Sequence, residues 1–323
     1  MIRFNKSPDR DFIILNLSDP QVQHTEWAGE RGYIGDIFKY TVQTLIDRVK
    51  PDLITVSGDI TSVDSEEGYR AFADVMDAYG IPWAPVWGNH DVQRGYDALK
   101  ATAENWKQHP LCRFEEGDPA LGLLNYTIGI YENGVPVAAL LMLDSHDRVN
   151  APGEPTNWAC LYPEQLPYIE KEAAALADAG FTDATVMMHI PPYGMRTAYA
   201  SAIRPGVDFS AASLHGDNPT LWREDADARG YMGEPISSVD REDGACDAFA
   251  RARIIRRVLF GHDHVNTFAI RYKNVLLSYA AKTGIGCYAN PPINGGTVLR
   301  VGTHGVTEMH HEWVDIVHLL PKN

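Results

Sequence analysis

Apolar and amphipathic segments alternate along the N-terminal part of the chain, and this alternation limits the folds that are open to it. The apolar runs cover residues 12–17, 52–57 and 83–87, and such nearly continuous hydrophobicity is typical of strands buried on both faces. Residues 36–49 and 65–80 instead repeat apolar side chains at helical spacing. This β-α-β-α-β order predicts an α/β protein with a parallel or mixed sheet and helices on both of its faces.

The pattern changes in the middle of the chain. Apolar runs at 123–131 and 135–144 flank Glu132-Asn133-Gly134, and Asn-Gly between two such runs predicts a β-hairpin. The remaining predicted elements are a helix at 163–179, a strand at 184–188, a short helix near 246–253 and mainly strands from there to about residue 317.

Five short polar clusters follow the apolar runs directly. Their carboxylate, amide and imidazole groups are the usual protein ligands of divalent metal ions. The carboxyl ends of strands in an open α/β sheet share one rim, so the clusters are expected to meet there. They are Asp19-Pro20-Gln21, Gly58-Asp59, Gly88-Asn89-His90-Asp91, His189 and Gly261-His262-Asp263-His264. Together they predict a two-metal hydrolytic site, with Asp59 as the carboxylate that bridges the ions.

The five clusters resemble the motif set of the calcineurin-like metallophosphoesterases. That set reads Asp-x-His, Gly-Asp, Gly-Asn-His-Asp/Glu, a lone His and Gly-His-x-His, and the likeness extends from about residue 12 to 301. Ile81-Pro82-Trp83 and the run from Gly261 to Asn266 further resemble the branch of the yeast Dcr2 phosphatase and small plant purple-acid-phosphatase-like proteins. The resemblance implies a four-layer α-β-β-α sandwich with two mixed sheets and the metal ions at its top edge.

The resemblance also implies a role for each residue of the clusters. His90 is expected to lie beside the substrate's phosphate together with Asn89, to stabilise charge or protonate the leaving oxygen, and to be oriented by Asp91. The implied ligands are Asp19, Gln21, Asp59 and His264 for the first metal ion, and Asp59, Asn89, His189 and His262 for the second.

One of these positions departs from the family pattern, because Gln21 stands where a histidine is usual. An amide oxygen is a harder ligand and a weaker donor than imidazole, which favours Mn²⁺, with Fe²⁺, Zn²⁺ and Mg²⁺ as alternatives. His24 is the nearest alternative imidazole. Ser62 stands where purple acid phosphatases carry a tyrosine, which predicts a protein without their colour.

The function expected from these residues is hydrolysis of a small phosphorylated substrate, with a preference for phosphomonoesters. Asp-x-Gln also resembles manganese-dependent pyrophosphatases of the same superfamily, so a phosphodiesterase or nucleotide pyrophosphatase stays open. A non-catalytic scaffold that binds a partner is the third reading. His90 argues against it, since a scaffold has no use for a retained proton donor.

Composition limits the binding partners and the cellular location to be expected. A formal net charge of −15 argues against nucleic acid as a partner, because phosphate contacts need clustered lysine and arginine. The run at 12–17 is too short for a signal segment or a membrane span, and Cys112, Cys160, Cys246 and Cys287 are widely spaced. These features predict a cytoplasmic protein with reduced thiols and no membrane contact, and they leave the oligomeric state open.

The expected organisation is a single domain, residues 1–323. Residues 194–245 are rich in Gly, Pro, Ser and Asp, show little periodicity and are too many for an ordinary connection. This segment is therefore predicted to be a functional insertion over the active face.

Overall fold

The computed structural model describes residues 1–149, 157–159, 161–207 and 221–321. Within them, two mixed β-sheets pack face to face between helices, as the predicted α-β-β-α sandwich requires. The strands are β1 (Ile2–Lys6), β2 (Phe12–Leu17), β3 (Leu53–Ser57), β4 (Trp83–Val86), β5 (Tyr126–Glu132), β6 (Val135–Met142), β7 (Arg148–Val149), β8 (Asn157–Trp158), β9 (Ala184–Met187), β10 (Ala228–Arg229), β11 (Ile255–Phe260), β12 (Ala269–Tyr272), β13 (Val275–Tyr279), β14 (Gly295–Gly302) and β15 (Gly305–Trp313). The helices are α1 (Gly32–Val49), α2 (Glu66–Ala78), α3 (Asn89–Val92), α4 (Tyr96–Trp106), α5 (Gln165–Asp178), α6 (Gly194–Ala202) and α7 (Ala245–Arg251).

Strand order places the strands of the N-terminal repeat, β2 to β4, in one sheet together with the last two strands of the chain. The five-stranded sheet runs β15-β14-β2-β3-β4, and the eight-stranded sheet runs β1-β5-β6-β9-β11-β13-β12-β10. Strands β2, β3 and β4 are parallel neighbours, and so are β6, β9 and β11. Parallel strands end at the same edge, so each sheet presents a rim of strand ends.

Two hydrophobic cores separate the four layers. One core lies between the sheets and extends under α1 and α2, with Phe38, Phe72 and Leu140 among its buried residues. The other lies between the eight-stranded sheet and helices α5, α6 and α7, and includes Leu141 and Phe249. Leu140 and Leu141 are neighbours on β6 that enter different cores, because successive side chains of a strand point to opposite faces.

Most predicted elements are confirmed, with shifts at their ends. The strand at 12–17 is confirmed without a shift, whereas α1 begins at Gly32 rather than at residue 36. The predicted hairpin is confirmed as β5 and β6, and Asn133 and Gly134 both have positive φ, as a tight hairpin turn requires.

Several elements have no counterpart in the sequence predictions, among them β1, α4 and α6. Strand β1 is largely polar and is recognised only by its pairing with β5. Helix α4 is anchored by Trp106, which stacks on Trp87 with ring centroids 4.9 Å apart. Helix α6 lies inside the segment read as lacking periodicity, of which residues 208–220 are outside the described ranges. Among the residues described, no helix combines the length and the apolar character that crossing a membrane requires.

Candidate metal centre

The five predicted clusters come together where the rims of the two sheets meet. Asp19 and Asp59 follow β2 and β3 of the five-stranded sheet, and Asn89 begins α3 just after β4. His189 and His262 follow β9 and β11 of the eight-stranded sheet. The site is therefore assembled from both sheets, and its residues come from strands far apart in sequence.

The backbone is strained at four residues of these clusters. Asp19, Gln21, Asp59 and His262 have φ values of 51°, 47°, 49° and 78°, in the left-handed region that residues other than glycine rarely adopt. Each such residue costs about 1–3 kcal/mol and persists only where its surroundings enforce it. Strain gathered at one rim in this way is typical of a functional site.

Two glycines allow the loops to approach each other. A Cβ on Gly58 would lie 2.7 Å from His189 Nδ1, and one on Gly261 would lie 2.5 Å from Asp19 Oδ2. Neither distance is possible for a real side chain. Glycine is needed at both positions because the candidate ligands occupy the space.

His189 is held with its Nε2 atom facing the centre. Its Nδ1 atom lies 2.8 Å from the Ser57 carbonyl oxygen and donates to it, which leaves Nε2 for the other groups. Nε2 lies 3.3 Å from Asp59 Oδ1 and 3.1 Å from Asn89 Oδ1. His262 Nε2 is buried and has no hydrogen-bond partner among the described residues. A buried polar atom without a partner is expected in a site that binds an ion.

His264 is held in the same manner on the other side of the centre. Its Nδ1 atom donates to the Tyr288 carbonyl oxygen at 2.8 Å, and its Nε2 atom lies 3.4 Å from Asp19 Oδ1. A backbone partner on the second ring nitrogen is the usual arrangement for a metal-binding histidine.

Two groups of donor atoms result, and Asp59 belongs to both. Asp59, His189 and His262 form one group, and Asp19, Asp59 and His264 form the other, with the donor atoms of each group within 4.8 Å of one another. The Asp59 carboxylate can therefore serve as a donor to each group. This donor set, the unpartnered His262 nitrogen and the strained backbone all fit two divalent cations.

The electrostatics of the centre favour cations as well. Asp19 and Asp59 are each only 1% exposed. Burial disfavours their charged forms, but the neighbouring cationic groups together outweigh this effect and hold the pKa of both carboxyls below their usual range. These groups are His189, His264 and Lys282 for Asp19, and His189 and His90 for Asp59. Burial also opposes charge on His189, yet the two carboxylates raise the pKa of its imidazole to about 10. Negative charge buried at this depth needs compensation by protons or metal ions.

His90 lies at the opening of the centre. Its backbone N–H donates to Asp59 Oδ1 at 2.9 Å, and its ring Nε2 lies 3.9 Å from Asp59 Oδ2. The ring is 31% exposed and borders a cavity of about 130 Å³. The cavity is also lined by Asn89, Trp158, Ser237, His262, His264, Cys287 and Tyr288.

Asp91 forms no hydrogen bond with the His90 ring, whose Nδ1 atom has no partner among the described residues, and this corrects the expectation that Asp91 orients His90. Its carboxylate accepts hydrogen bonds from the backbone N–H groups of Gly88 and Ile60 and from the Tyr69 hydroxyl, the last at 2.6 Å. Burial and the nearby Asp59 raise the pKa of Asp91 to about 6. Asp91 sits at the third residue of α3, from which its side chain reaches back to Gly88, so it organises the loops instead.

Gln21 lies within the centre, and its amide is engaged at both ends. Its Nε2 atom donates to Asp59 Oδ2 at 3.1 Å, and its Oε1 atom accepts from Lys282 Nζ at 3.1 Å. Sequence reasoning missed Lys282, because a lysine in a small-residue stretch carries no metal-site signal. The alternative imidazole, His24, instead pairs with Asp64 at 2.7 Å and is exposed.

A short stretch of the predicted insertion lies against the loop that carries His262 and His264. We call residues 233–238 the strap. Glu234 accepts from the Val265 backbone N–H at 2.9 Å and from the Tyr288 hydroxyl at 2.7 Å. The Ser237 N–H donates to Asp263 at 3.1 Å. The strap thereby forms part of the cavity wall.

Comparison with known proteins agrees with this geometry. Residues 12–266 match the family model described as calcineurin-like phosphoesterase. The chain belongs to this family. The family is one of metal-dependent phosphoesterases, and the two donor groups are candidate ligands for its metal ions.

Two relatives and one solved structure show how far the likeness of this calcineurin-like phosphoesterase extends. It is 27% identical over 247 residues to the phosphatase DCR2 of Saccharomyces cerevisiae, covering 71% of this chain but 39% of that protein. It is 23% identical over 329 residues to the "Probable inactive purple acid phosphatase 28" of Arabidopsis thaliana, covering 90% and 77%. The crystal structure of a dimetal phosphatase from Danio rerio superposes with a TM-score of 0.54 at 14% identity, covering 94% of this chain and 99% of that one, which shows a shared fold.

Proposed function

We propose that this calcineurin-like phosphoesterase hydrolyses phosphomonoesters at a centre of two divalent metal ions. The observation that carries the proposal is the pair of donor groups that share Asp59, with His90 beside them at the mouth of a cavity. Two ions that share one carboxylate lie about 3.5–4 Å apart, which is the spacing that clamps a phosphoryl group.

The ligands follow from the two donor groups. A first ion would be held by Asp19, Asp59 and His264. A second would be held by Asp59, His189 and His262, and by Asn89, whose Oδ1 atom lies 3.1 Å from His189 Nε2. When bound, such ions supply positive charge that attracts a phosphate group and favours deprotonation of water. Mn²⁺ is the favoured ion, because carboxylate and amide oxygens accompany the imidazoles.

His90 and Asn89 are the groups of the chain that act on the substrate. His90 holds a proton at the cavity mouth and delivers it to the leaving oxygen, for which its partly exposed ring is suited. Asn89 uses its amide oxygen for the second ion and retains an NH₂ group for a phosphate oxygen. Asp91 keeps both residues in place through its bonds to Gly88 and Ile60.

The size of the cavity sets the class of substrate. A volume of about 130 Å³ accommodates a phosphate group and the first atoms of its alcohol. Trp158 and Tyr288 border this space, and the strap contributes Ser237. The strap thus lies over the active face of one domain, where it shapes the choice of alcohol. The preference for monoesters rests on the likeness to a protein named a phosphatase.

The test is a substrate panel on protein stripped of metal and then reloaded. Mn²⁺, Fe²⁺, Zn²⁺ and Mg²⁺ are each added before p-nitrophenyl phosphate, its bis-ester or a nucleotide pyrophosphate. Mn²⁺ is expected to give the highest activity, with the monoester as the best substrate and EDTA abolishing turnover. Faster cleavage of the bis-ester or of the pyrophosphate would replace the monoesterase by that alternative.

A non-catalytic scaffold is the second candidate, and two observations favour it. One relative carries the name "Probable inactive purple acid phosphatase 28", and Gln21 stands in place of the usual histidine. Protein that binds metal yet leaves all three substrates intact would establish this reading. Asp59→Asn serves as the control without metal, because it removes charge from the shared ligand.

A further inference from the structure

Lys282 places a buried positive charge directly against the first metal site. The residue is 3% exposed, and its Nζ atom donates to the Asp19 carbonyl oxygen at 2.7 Å and to Gln21 Oε1 at 3.1 Å. Both acceptors belong to the segment that supplies the first ion's ligands. An ammonium group here competes with a cation for the same negative charge.

The ammonium determines which way the Gln21 amide faces. Lysine can only donate hydrogen bonds, so the amide atom beside it must be the oxygen. The nitrogen of the same amide donates to Asp59 Oδ2 at 3.1 Å. Turning the oxygen toward an ion would set the NH₂ group against the ammonium and deprive Lys282 of a buried acceptor.

A purely structural role does not explain a lysine at this position. A cross-link between the loop after β2 and residue 282 needs only a neutral donor, whereas a buried charge carries a large desolvation penalty. The charge does have an electrostatic effect on the adjacent site. Among the described residues, the hydrogen bonds of Lys282 go to Asp19 and Gln21, so this effect is greatest at the first site.

Building on the proposed two-metal function, we infer that Gln21 is a positioning residue rather than a metal ligand and that Lys282 holds it in that role. The first site then offers Asp19, Asp59 and His264 as ligands, and the Lys282 ammonium group lowers the affinity of this site for its ion. The second site offers Asp59, Asn89, His189 and His262. The protein therefore binds one ion tightly, and its first site fills only at higher metal concentration.

Binding of Mn²⁺ to the chelator-stripped protein tests this inference without measuring activity. Isothermal titration gives the affinities, and the electron paramagnetic resonance signal of free Mn²⁺ counts the bound ions. The wild-type protein is expected to bind one Mn²⁺ ion tightly and a second with an affinity lower by about tenfold or more. Lys282→Met should raise the affinity for the weakly bound ion by about tenfold or more and leave that for the tightly bound ion unchanged. Lys282→Arg retains the charge, so its second ion should stay weakly bound.

Gln21→Ala and His264→Ala separate the positioning role from ligation. Gln21→Ala should change the affinity for the weakly bound ion only slightly, whereas His264→Ala should abolish binding of that ion. This comparison leaves Lys282 in place and so remains decisive if Lys282→Met does not fold. Equal loss of the weakly bound ion in the two variants, or two equally tightly bound ions in the wild type, overturns the inference but leaves the two-metal function intact. A wild-type protein that binds no Mn²⁺ overturns the proposed function itself.

Discussion

Gly88 packs so closely on Asp59 that a Cβ at residue 88 would lie 2.2 Å from the Asp59 backbone nitrogen and 2.3 Å from its Oδ1 atom. The φ of Gly88 is −107°, which any residue adopts, so the need for glycine here is one of space. The contact fixes the Asp59 carboxylate against the turn that carries Asn89 and His90. The geometry of the metal centre therefore depends on a residue that contributes no side chain.

Gly88→Ala is expected to lower both metal content and stability. The added methyl displaces Asp59, and overpacking of this kind costs about 1–3 kcal/mol. Elemental analysis and denaturant unfolding measure the two effects. Gly32→Ala is the matched control, because its Cβ would have no neighbour nearer than 3.9 Å. Similar behaviour of the two variants would contradict the role of Gly88.

His90→Ala and Asp59→Ala are expected to fail in different ways. Loss of a proton donor lowers turnover by about 10²–10⁴-fold, and His90→Ala should do so with its metal content intact. Asp59→Ala should lose metal, because both donor groups lose their shared carboxylate. Steady-state kinetics and elemental analysis on the same preparations provide the measurement. Equal loss of metal in both variants would refute the assigned roles.

Tyr69→Phe is expected to destabilise the protein more than Tyr126→Phe. Both hydroxyls are buried; Tyr69 donates to the Asp91 carboxyl group at 2.6 Å and Tyr126 to the Pro85 carbonyl oxygen at 2.7 Å. Hydrogen bonds to charged groups contribute about 1.5–3 kcal/mol and neutral ones about 0.5–1.5 kcal/mol. Urea unfolding at neutral pH compares the variants. A larger effect of Tyr126→Phe would contradict the role of Asp91 in organising the loops.

Glu234→Ala is expected to raise KM by several fold and leave metal content unchanged. The substitution frees the Tyr288 hydroxyl and the Val265 backbone from the strap, which loosens the cavity wall. It replaces no candidate ligand and retains the Tyr288 carbonyl oxygen that accepts from His264. Glu224→Ala is the control from the same insertion, because Glu224 pairs with Arg204 and its side chain is 92% exposed. An unchanged KM in both variants would show that the strap does not affect substrate binding.

The three described cysteines are expected to react very differently with a thiol reagent. Cys287 is exposed and borders the cavity, whereas Cys112 and Cys246 are buried. Burial raises the pKa of the Cys112 and Cys246 thiols, so they stay protonated as the pH rises from about 7 to about 9. In a Cys160→Ser background, native protein should therefore label once over this pH range, and Cys287→Ser should remove that reaction. Labelling of a second thiol before unfolding would contradict the burial of these residues.

The candidate ligands could be predicted from sequence because local signals marked them. Asp19 and Asp59 follow apolar runs that read as buried strands, and His189 follows another. Parallel strands carry such residues to a common rim whatever the connections between them are. The structure brings these residues together as expected.

The unpredicted features depend on contacts between distant residues. The role of Asp91 depends on Tyr69 and Ile60, which approach it from other elements. Strand β1 carries no strong periodicity of its own and is defined by its pairing with β5. Cys160 and the other residues outside the described ranges are not covered by the structure, so the predictions that concern them stay predictions.

By itself, the sequence determined the order of most strands and helices and the identity of the groups at the strand ends, because periodicity and turn residues act over a few neighbouring positions. Only the tertiary structure decided where those groups point. Lys282 meets Gln21 across 261 positions of the chain, and no local pattern encodes such an encounter. The direction of the Gln21 amide, and with it the number of ligands at the first site, is set by that packing.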